Sequence, residues 1–318
     1  MPQRLRIPLV VVCGPTASGK TDLSQRIAQR LGGCVLSADS MQIYTGMDIG
    51  TGKLAPADRI VPHYGFDLVD PGAPYSASLF QAYGRGVVDR CDRDATPCVI
   101  CGGTGFYIRA VVDAYEFPKG DQVGNPVREA YTAKIAATSA QAVWEELTAC
   151  DPASAALIHP HDTKRLVRAF EMRADGTTYA AQHAQLAHIP PFYEPVTFIG
   201  LRVDPDILRS RIDARVDQMI AAGLVDEVRG LLDCGFRDAL TAQQAIGYKE
   251  IVAALEGRCT IDEAVDQIKF ATHRYAKRQR TWFRKDARIQ WLTADTPDFE
   301  LLTDQSLAEI ERTMDENR

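Results

Sequence analysis

Residues Gly14-Pro15-Thr16-Ala17-Ser18-Gly19-Lys20-Thr21 fit the pattern G-x-x-x-x-G-K-[ST], and that pattern admits few folds. The glycines allow backbone torsions and close approaches that a Cβ would block. Successive N–H groups then converge on phosphate oxygens at the positive end of the following helix. Lys20 adds a point charge, and the Thr21 hydroxyl is placed to ligate Mg²⁺. The flanks agree with this reading. Ile7–Cys13 is a continuous apolar run ending at a glycine, the mark of a central parallel strand. Leu23, Ile27 and Leu31 follow at helical spacing, and Gly32-Gly33 closes that helix.

The same alternation continues downstream. Cys34–Ala38 reads as a short strand ending at Asp39, Pro62–Pro71 as a loop or edge segment, and Ser78–Asp92 as a helix. Pro97–Cys101 is another buried strand, closed by Gly102-Gly103. This order predicts an α/β fold: a three-layer core of the P-loop type around a parallel sheet. The pattern changes after Val112. Phe117–Pro126 has the composition of a linker, and Val127 to about Ala187 reads as helix throughout. Strand character returns at Val196–Val203. The expected organisation is therefore a core of residues 1–112 and 196–318 with a helical insertion at 113–195. Helices are expected at Asp206–Ala222, Leu224–Asp233 and Ile261–Lys285, the last burying Ile261, Val265, Ile268, Tyr275 and Trp282.

Charge and cysteine usage narrow the function classes. No segment reaches the roughly 18 uncharged apolar residues of a membrane span, so a cytosolic protein is expected. The eight cysteines are scattered, which argues against a disulfide framework. Cys98 and Cys101 have zinc-compatible spacing but no partner pair, and core packing is the expected role. The net charge of −6 opposes indiscriminate nucleic-acid binding, yet Lys269–Arg288 carries eight cations against the single acid Asp286. That stretch can neutralise phosphates or simply be a solvated face.

Three further groups have candidate chemistry. A strand-end acid that would hold Mg²⁺ in an ATPase is missing after Pro97–Cys101, where Gly102-Gly103-Thr104 stands instead. Asp39 is the better-placed carboxylate, either as a metal or water ligand or helix cap, or as a general base. Lys164, Arg165 and Arg168 can share one helical face behind Asp162, a possible cap. Arg211 and Arg215 lie four apart on one helix and can pair with acids.

In this order, the segments resemble the tRNA dimethylallyltransferase family of bacterial type. The matching segments are 14–21, Ser37-Ala38-Asp39-Ser40-Met41-Gln42-Ile43-Tyr44, Met47-Asp48-Ile49-Gly50-Thr51-Gly52-Lys53 and Gly102-Gly103-Thr104-Gly105-Phe106-Tyr107. Ile158–Arg168, Gln244-Ala245-Ile246-Gly247-Tyr248-Lys249 and Arg274–Arg284 complete the series, so the resemblance covers about residues 8–292. It implies transfer of a dimethylallyl group from its diphosphate to N6 of the adenine just 3′ of a tRNA anticodon, with Mg²⁺ and release of pyrophosphate. The loop Gly14–Thr21 would then hold the diphosphate, Asp39 would take the N6 proton, and Thr104 and Arg215 would contact the leaving group. Contacts to the tRNA anticodon stem-loop would come from Asp39, Ser40, Met41, Gln42, Thr104 and Arg128. Further contacts would come from Lys164, Arg165, Leu166, Val167 and Arg168 on the insertion, and from Gln244, Ala245, Ile246, Gly247, Tyr248, Lys249, Lys277 and Arg278 on the core. The acceptor base must leave the anticodon stack to react, and the side-chain amide of Gln42 suits an adenine edge. A monomer without membrane attachment is implied.

His161 stands where the family commonly has Asn, and Phe106 where Leu is common. Neither is at an implied catalytic position. Two other enzymatic readings compete: a small-molecule kinase, and a prenyltransferase for free adenine nucleotides. A non-catalytic tRNA-binding protein would leave the phosphate loop and Asp39 without a purpose.

Overall fold

The computed structural model describes residues 2–117, 124–186, 189–239, 241–296 and 298–317. Most of the expected linker Phe117–Pro126 lies outside them. Two compact units are present, one of residues 1–113 with 191–318 and one of Ala114–Pro190.

The larger unit holds a six-stranded sheet. Its strands are β1 (Gln3–Cys13), β2 (Cys34–Ser37), β3 (His63–Tyr64), β4 (Cys98–Gly102), β5 (Tyr193–Arg202) and β6 (Gln290–Thr293), in the order β3-β2-β4-β1-β5-β6. Every pairing is parallel. The apolar run of β1 is continuous because both faces of the strand are covered. Leu9, Val11 and Cys13 point into one core cluster, whereas Val10 and Val12 point into the other. Burying each such side chain contributes about 1.5–3 kcal/mol, which makes β1 the natural centre of the sheet.

The helices of this unit are α1 (Lys20–Leu31), α2 (Ala77–Arg93) and α3 (Gly105–Val112), with others named below. The smaller unit is helical: α4 (Pro126–Ala137), α5 (Ala140–Cys150), α6 (Pro152–Ala155), α7 (Thr163–Ala174) and α8 (Tyr179–Leu186). It has its own core of Val143, Leu147, Ile158, Leu166 and Phe170, with Tyr131 stacked on Phe170 at 3.8 Å between ring centres. The larger unit then closes with α9 (Pro205–Ala221), α10 (Leu224–Asp233), α11 (Tyr248–Leu255), α12 (Ile261–Phe283) and α13 (Phe299–Glu316).

Helix α12 departs from expectation. It ends at Phe283 and buries Ala264, Ile268, Ala276, Gln279 and Phe283, while Trp282 is 44% exposed. Of the expected stripe only Ile268 is fully buried. Near its C-terminal end the helix meets loop backbone, and there it presents the Gln279 amide rather than an apolar side chain. Strand β5 also begins at Tyr193, three residues ahead of the expected start.

Candidate functional site

Three neighbouring strands, β1, β4 and β2, deliver their C-terminal ends to one place. After β1 comes the loop Gly14–Thr21, after β4 comes Thr104, and after β2 comes Asp39. In open α/β sheets this end is where ligands bind. Loop residues Ala17 and Gly19 have φ of +61° and +89°, so their amides turn towards a common centre at the start of α1. The Ser18 hydroxyl is 2% exposed, and among the described residues no group pairs with it. A buried, unpaired hydroxyl beside converging amides is suited to an anion.

Gln279 of α12 fixes the loop from above. Its Oε1 accepts from Thr16 N at 2.9 Å, and its Nε2 donates to Gly103 O at 3.0 Å. The Lys20 ammonium donates to Pro15 O at 3.2 Å. Burial lowers the Lys20 pKa, and the Arg215 guanidinium adds to this, with the Cys101 thiol and Asp39 acting the other way. Arg215 is itself pushed down by burial, partly offset by Asp39. Two cations and one carboxylate thus sit close enough to act on one another, an arrangement that favours a polyanion between the cations.

Together with Thr16, Thr21 and Gln42, these residues line a cavity of about 540 Å³. Its apolar wall comes from Val216 and Met219 of α9, Ile268 and Ala271 of α12, and Ile246. Arg274 and Arg278 on α12, with Lys249 on α11, also line it. Thr104 lies beside it. Its Oγ1 accepts from Ser40 N at 3.2 Å and lies 3.4 Å from Ser40 Oγ. Tyr275, expected in the core, lines the cavity instead and reaches both Thr104 and Gln279; burial and the Asp39 charge push its phenol up to about 12.

The structure shows why the segment Met47–Lys53 contains two glycines. Gly52 has φ of +62°, and a Cβ there would collide with the Arg215 guanidinium. A Cβ on Gly50 would collide with the Tyr248 ring. Glu227 of α10, which the sequence pattern does not single out, accepts from the amides of Asp48, Ile49 and Gly50 and from the Tyr248 hydroxyl at 2.6 Å. Gln42 is also largely occupied within the chain. It accepts from Ser37 Oγ at 2.7 Å, and its Nε2 donates towards Thr51 O and Gly52 O at 3.3 and 3.2 Å.

The remaining candidate residues divide by exposure. Lys277, Arg278, Gln244 and Lys249 are exposed, whereas Ala245 and Tyr248 are buried and support the segment from within. In the smaller unit Asp162 caps α7, accepting from Arg165 N at 3.1 Å. Lys164 and Arg165 are exposed. The side chains of Leu166 and Val167 are not available to RNA, because both are buried, Leu166 in that unit's own core. Arg128 and Arg168 pair with Glu171, at 2.6 and 2.9 Å. Burial would raise the Glu171 pKa, but the hydrogen bonds from these two arginines outweigh it and lower it. Arg211 donates to the carbonyls of Ala294 and Asp295 and so fastens α9, unlike Arg215 one turn on.

The IPP transferase family model matches residues 42–286, and an isopentenyl transferase model matches residues 7–59. The chain is 42% identical to a tRNA dimethylallyltransferase of Geobacillus thermodenitrificans over 91% of either chain. It is 41% identical to one of Rhodococcus jostii over 96% of this chain and 97% of the other. Among solved structures, a tRNA isopentenylpyrophosphate transferase of Bacillus halodurans superposes with a TM-score of 0.71 at 36% identity, covering 98% of this chain and 99% of the other. A eukaryotic dimethylallyltransferase acting on tRNA has a TM-score of 0.81 at 24% identity over 98% of this chain and 80% of its own, which supports the fold. By the extent of these matches, the chain belongs to the tRNA dimethylallyltransferase, or IPP transferase, family.

Proposed function

We propose that the chain transfers a dimethylallyl group from dimethylallyl diphosphate to N6 of the adenine just 3′ of the anticodon in tRNA. The observation that carries this reading is the joining of an anion cradle, two half-buried cations, one carboxylate and an apolar wall in a single cavity. The diphosphate sits on the amides of Gly14–Thr21 with Lys20 and Arg215 on its oxygens. The five-carbon chain lies against Val216, Met219 and Ile268. The C1–O bond breaks and its electron pair leaves with pyrophosphate. The N6 lone pair forms the new C–N bond, and Asp39 takes the N6 proton. Stabilising the charge that grows on pyrophosphate is the main electrostatic task, and Arg can grip two oxygens at once.

The Thr21 hydroxyl suits a hard cation, and a single protein oxygen fits Mg²⁺, which keeps several waters and substrate oxygens as ligands. Bound beside Thr21, Mg²⁺ would neutralise charge on the leaving group. The tRNA would meet Lys277 and Arg278 on the core, and Lys164 and Arg165 on the insertion. Among the described residues no helix is long and apolar enough to cross a membrane.

The test is incubation with unmodified tRNA and labelled dimethylallyl diphosphate, followed by nucleoside mass spectrometry. N6-(dimethylallyl)adenosine at the anticodon loop is expected. Phosphate transfer from ATP with no label in tRNA would overturn the proposal in favour of a kinase. Preferential labelling of AMP over an anticodon stem-loop would redirect it to a free nucleotide acceptor.

A further inference from the structure

Away from the cavity, three cysteines that no catalytic step uses converge. Cys34 opens β2 and Cys98 opens β4, directly opposite each other in the parallel register. Cys91 comes down from the end of α2. All three sulfurs lie within 4.8 Å of one another, and those of Cys34 and Cys91 are 3.4 Å apart. The side chains are 2%, 4% and 0% exposed. Sulfurs bound to one ion at the usual metal–thiolate length of about 2.3 Å stand about 4 Å apart, within that spread. The cluster occupies the N-terminal ends of strands whose C-terminal ends form the catalytic cavity.

We propose that Cys34, Cys91 and Cys98 form a three-sulfur site for one soft monovalent ion, Cu(I). Soft thiolate sets select Cu(I), zinc or iron–sulfur clusters. Structural zinc takes four protein ligands, and iron–sulfur clusters likewise use four cysteines. Among the described residues no fourth His, Cys, Asp or Glu joins the group. Three sulfurs without a fourth ligand leave Cu(I). Cys91 lies one residue beyond Arg90, which is exposed on the last turn of α2, so the cluster sits beneath a helix end, and helix ends fray. Binding releases the protons of the coordinated thiols to solvent.

The test uses the full chain with Cys150, Cys234 and Cys259, the less buried thiols, replaced by Ser. This protein is titrated anaerobically with Cu(I) against a chromogenic chelator. One equivalent per chain is expected, with three sulfur neighbours by X-ray absorption. Cys98→Ala and, separately, Cys91→Ser should each weaken binding at least tenfold while circular dichroism shows both folded, and Cys13→Ala should leave it unchanged. Should Cys98→Ala not fold, Cys91→Ser, at the end of a helix, decides alone. Retention of all Cu(I) by the chelator, binding undiminished in Cys91→Ser, or only two sulfur neighbours would overturn the site.

Discussion

Gly52→Ala is expected to disable the enzyme through Arg215, a residue it precedes by more than half the chain. Position 52 has φ of +62°, and a Cβ there occupies the space of the Arg215 guanidinium. Two effects follow. Holding a non-glycine residue in the left-handed region costs about 1–2 kcal/mol of stability, a fall of a few degrees in Tm for a domain of this size. On the proposed role of Arg215, moving the guanidinium away from the leaving group forfeits transition-state stabilisation, for which loss of one such donor lowers kcat about 10²–10³-fold, or ~2.7–4 kcal/mol. The catalytic loss therefore exceeds the folding loss and can be told apart from it. Because the interaction strengthens as charge develops, kcat should fall more than KM rises. Single-turnover transfer to tRNA, measured well below the melting range, reads the effect. Gly52→Ala, Arg215→Ala and the double variant form a cycle, and the double variant should lose no more than Arg215→Ala alone. Transfer by Gly52→Ala within threefold of the parent, or additive losses in the cycle, would refute the reasoning.

Asp39→Asn keeps the shape of the side chain and its place near Met41 N but removes the proposed base; transfer should drop about 10²–10⁴-fold while prenyl diphosphate still binds by calorimetry. Full activity in this variant would remove Asp39 from proton transfer. Replacing Lys277 and Arg278 with Ala should weaken different tRNAs alike and flatten the dependence of log K on log salt by about one for each phosphate no longer neutralised. An unchanged salt slope would take α12 out of the interface. For Glu171, whose folded pKa lies below its unfolded value, the contribution to stability is full above about pH 5 and is lost as pH falls further. Glu171→Gln should cost about 2 kcal/mol at neutral pH, less than for a fully enclosed pair because both arginines are partly exposed. It should also flatten the acid limb of the melting curve, which an unchanged limb would contradict.

What the chain discloses before it is folded follows the range of the interactions involved. The phosphate loop is legible because strand, turn and helix start lie within two dozen residues and each leaves a local mark. The strands around Leu9 and Val99 are legible for the same reason, since cover on both faces produces unbroken apolar runs. Helix α12 misleads because the residues it buries include Ala264, Ala276 and Gln279, which no hydrophobic pattern favours, while Trp282 lies outward. The short strands β3 and β6 carry too few residues to show a period. Glu227, the two glycines of 50–52 and the three clustered cysteines were out of reach: each needs at least one partner from more than 50 to nearly 200 positions away. The exposed cations on α7 and α12 could be placed on helices from spacing, but Arg128 and Arg168 could not be assigned to Glu171 without the fold.

The amide of Gln279 spends its two unlike ends on two unlike backbone atoms, an N–H of Thr16 and a carbonyl of Gly103. A carboxylate in its stead would repel the second, a thioether or leucine would satisfy neither, and the shorter asparagine would fall a methylene short. Gly103 is constrained in return, since any side chain there would run into the Gln279 amide nitrogen. These two positions, 176 residues apart in the chain, therefore behave as one inherited unit: neither is free to drift unless the other changes with it.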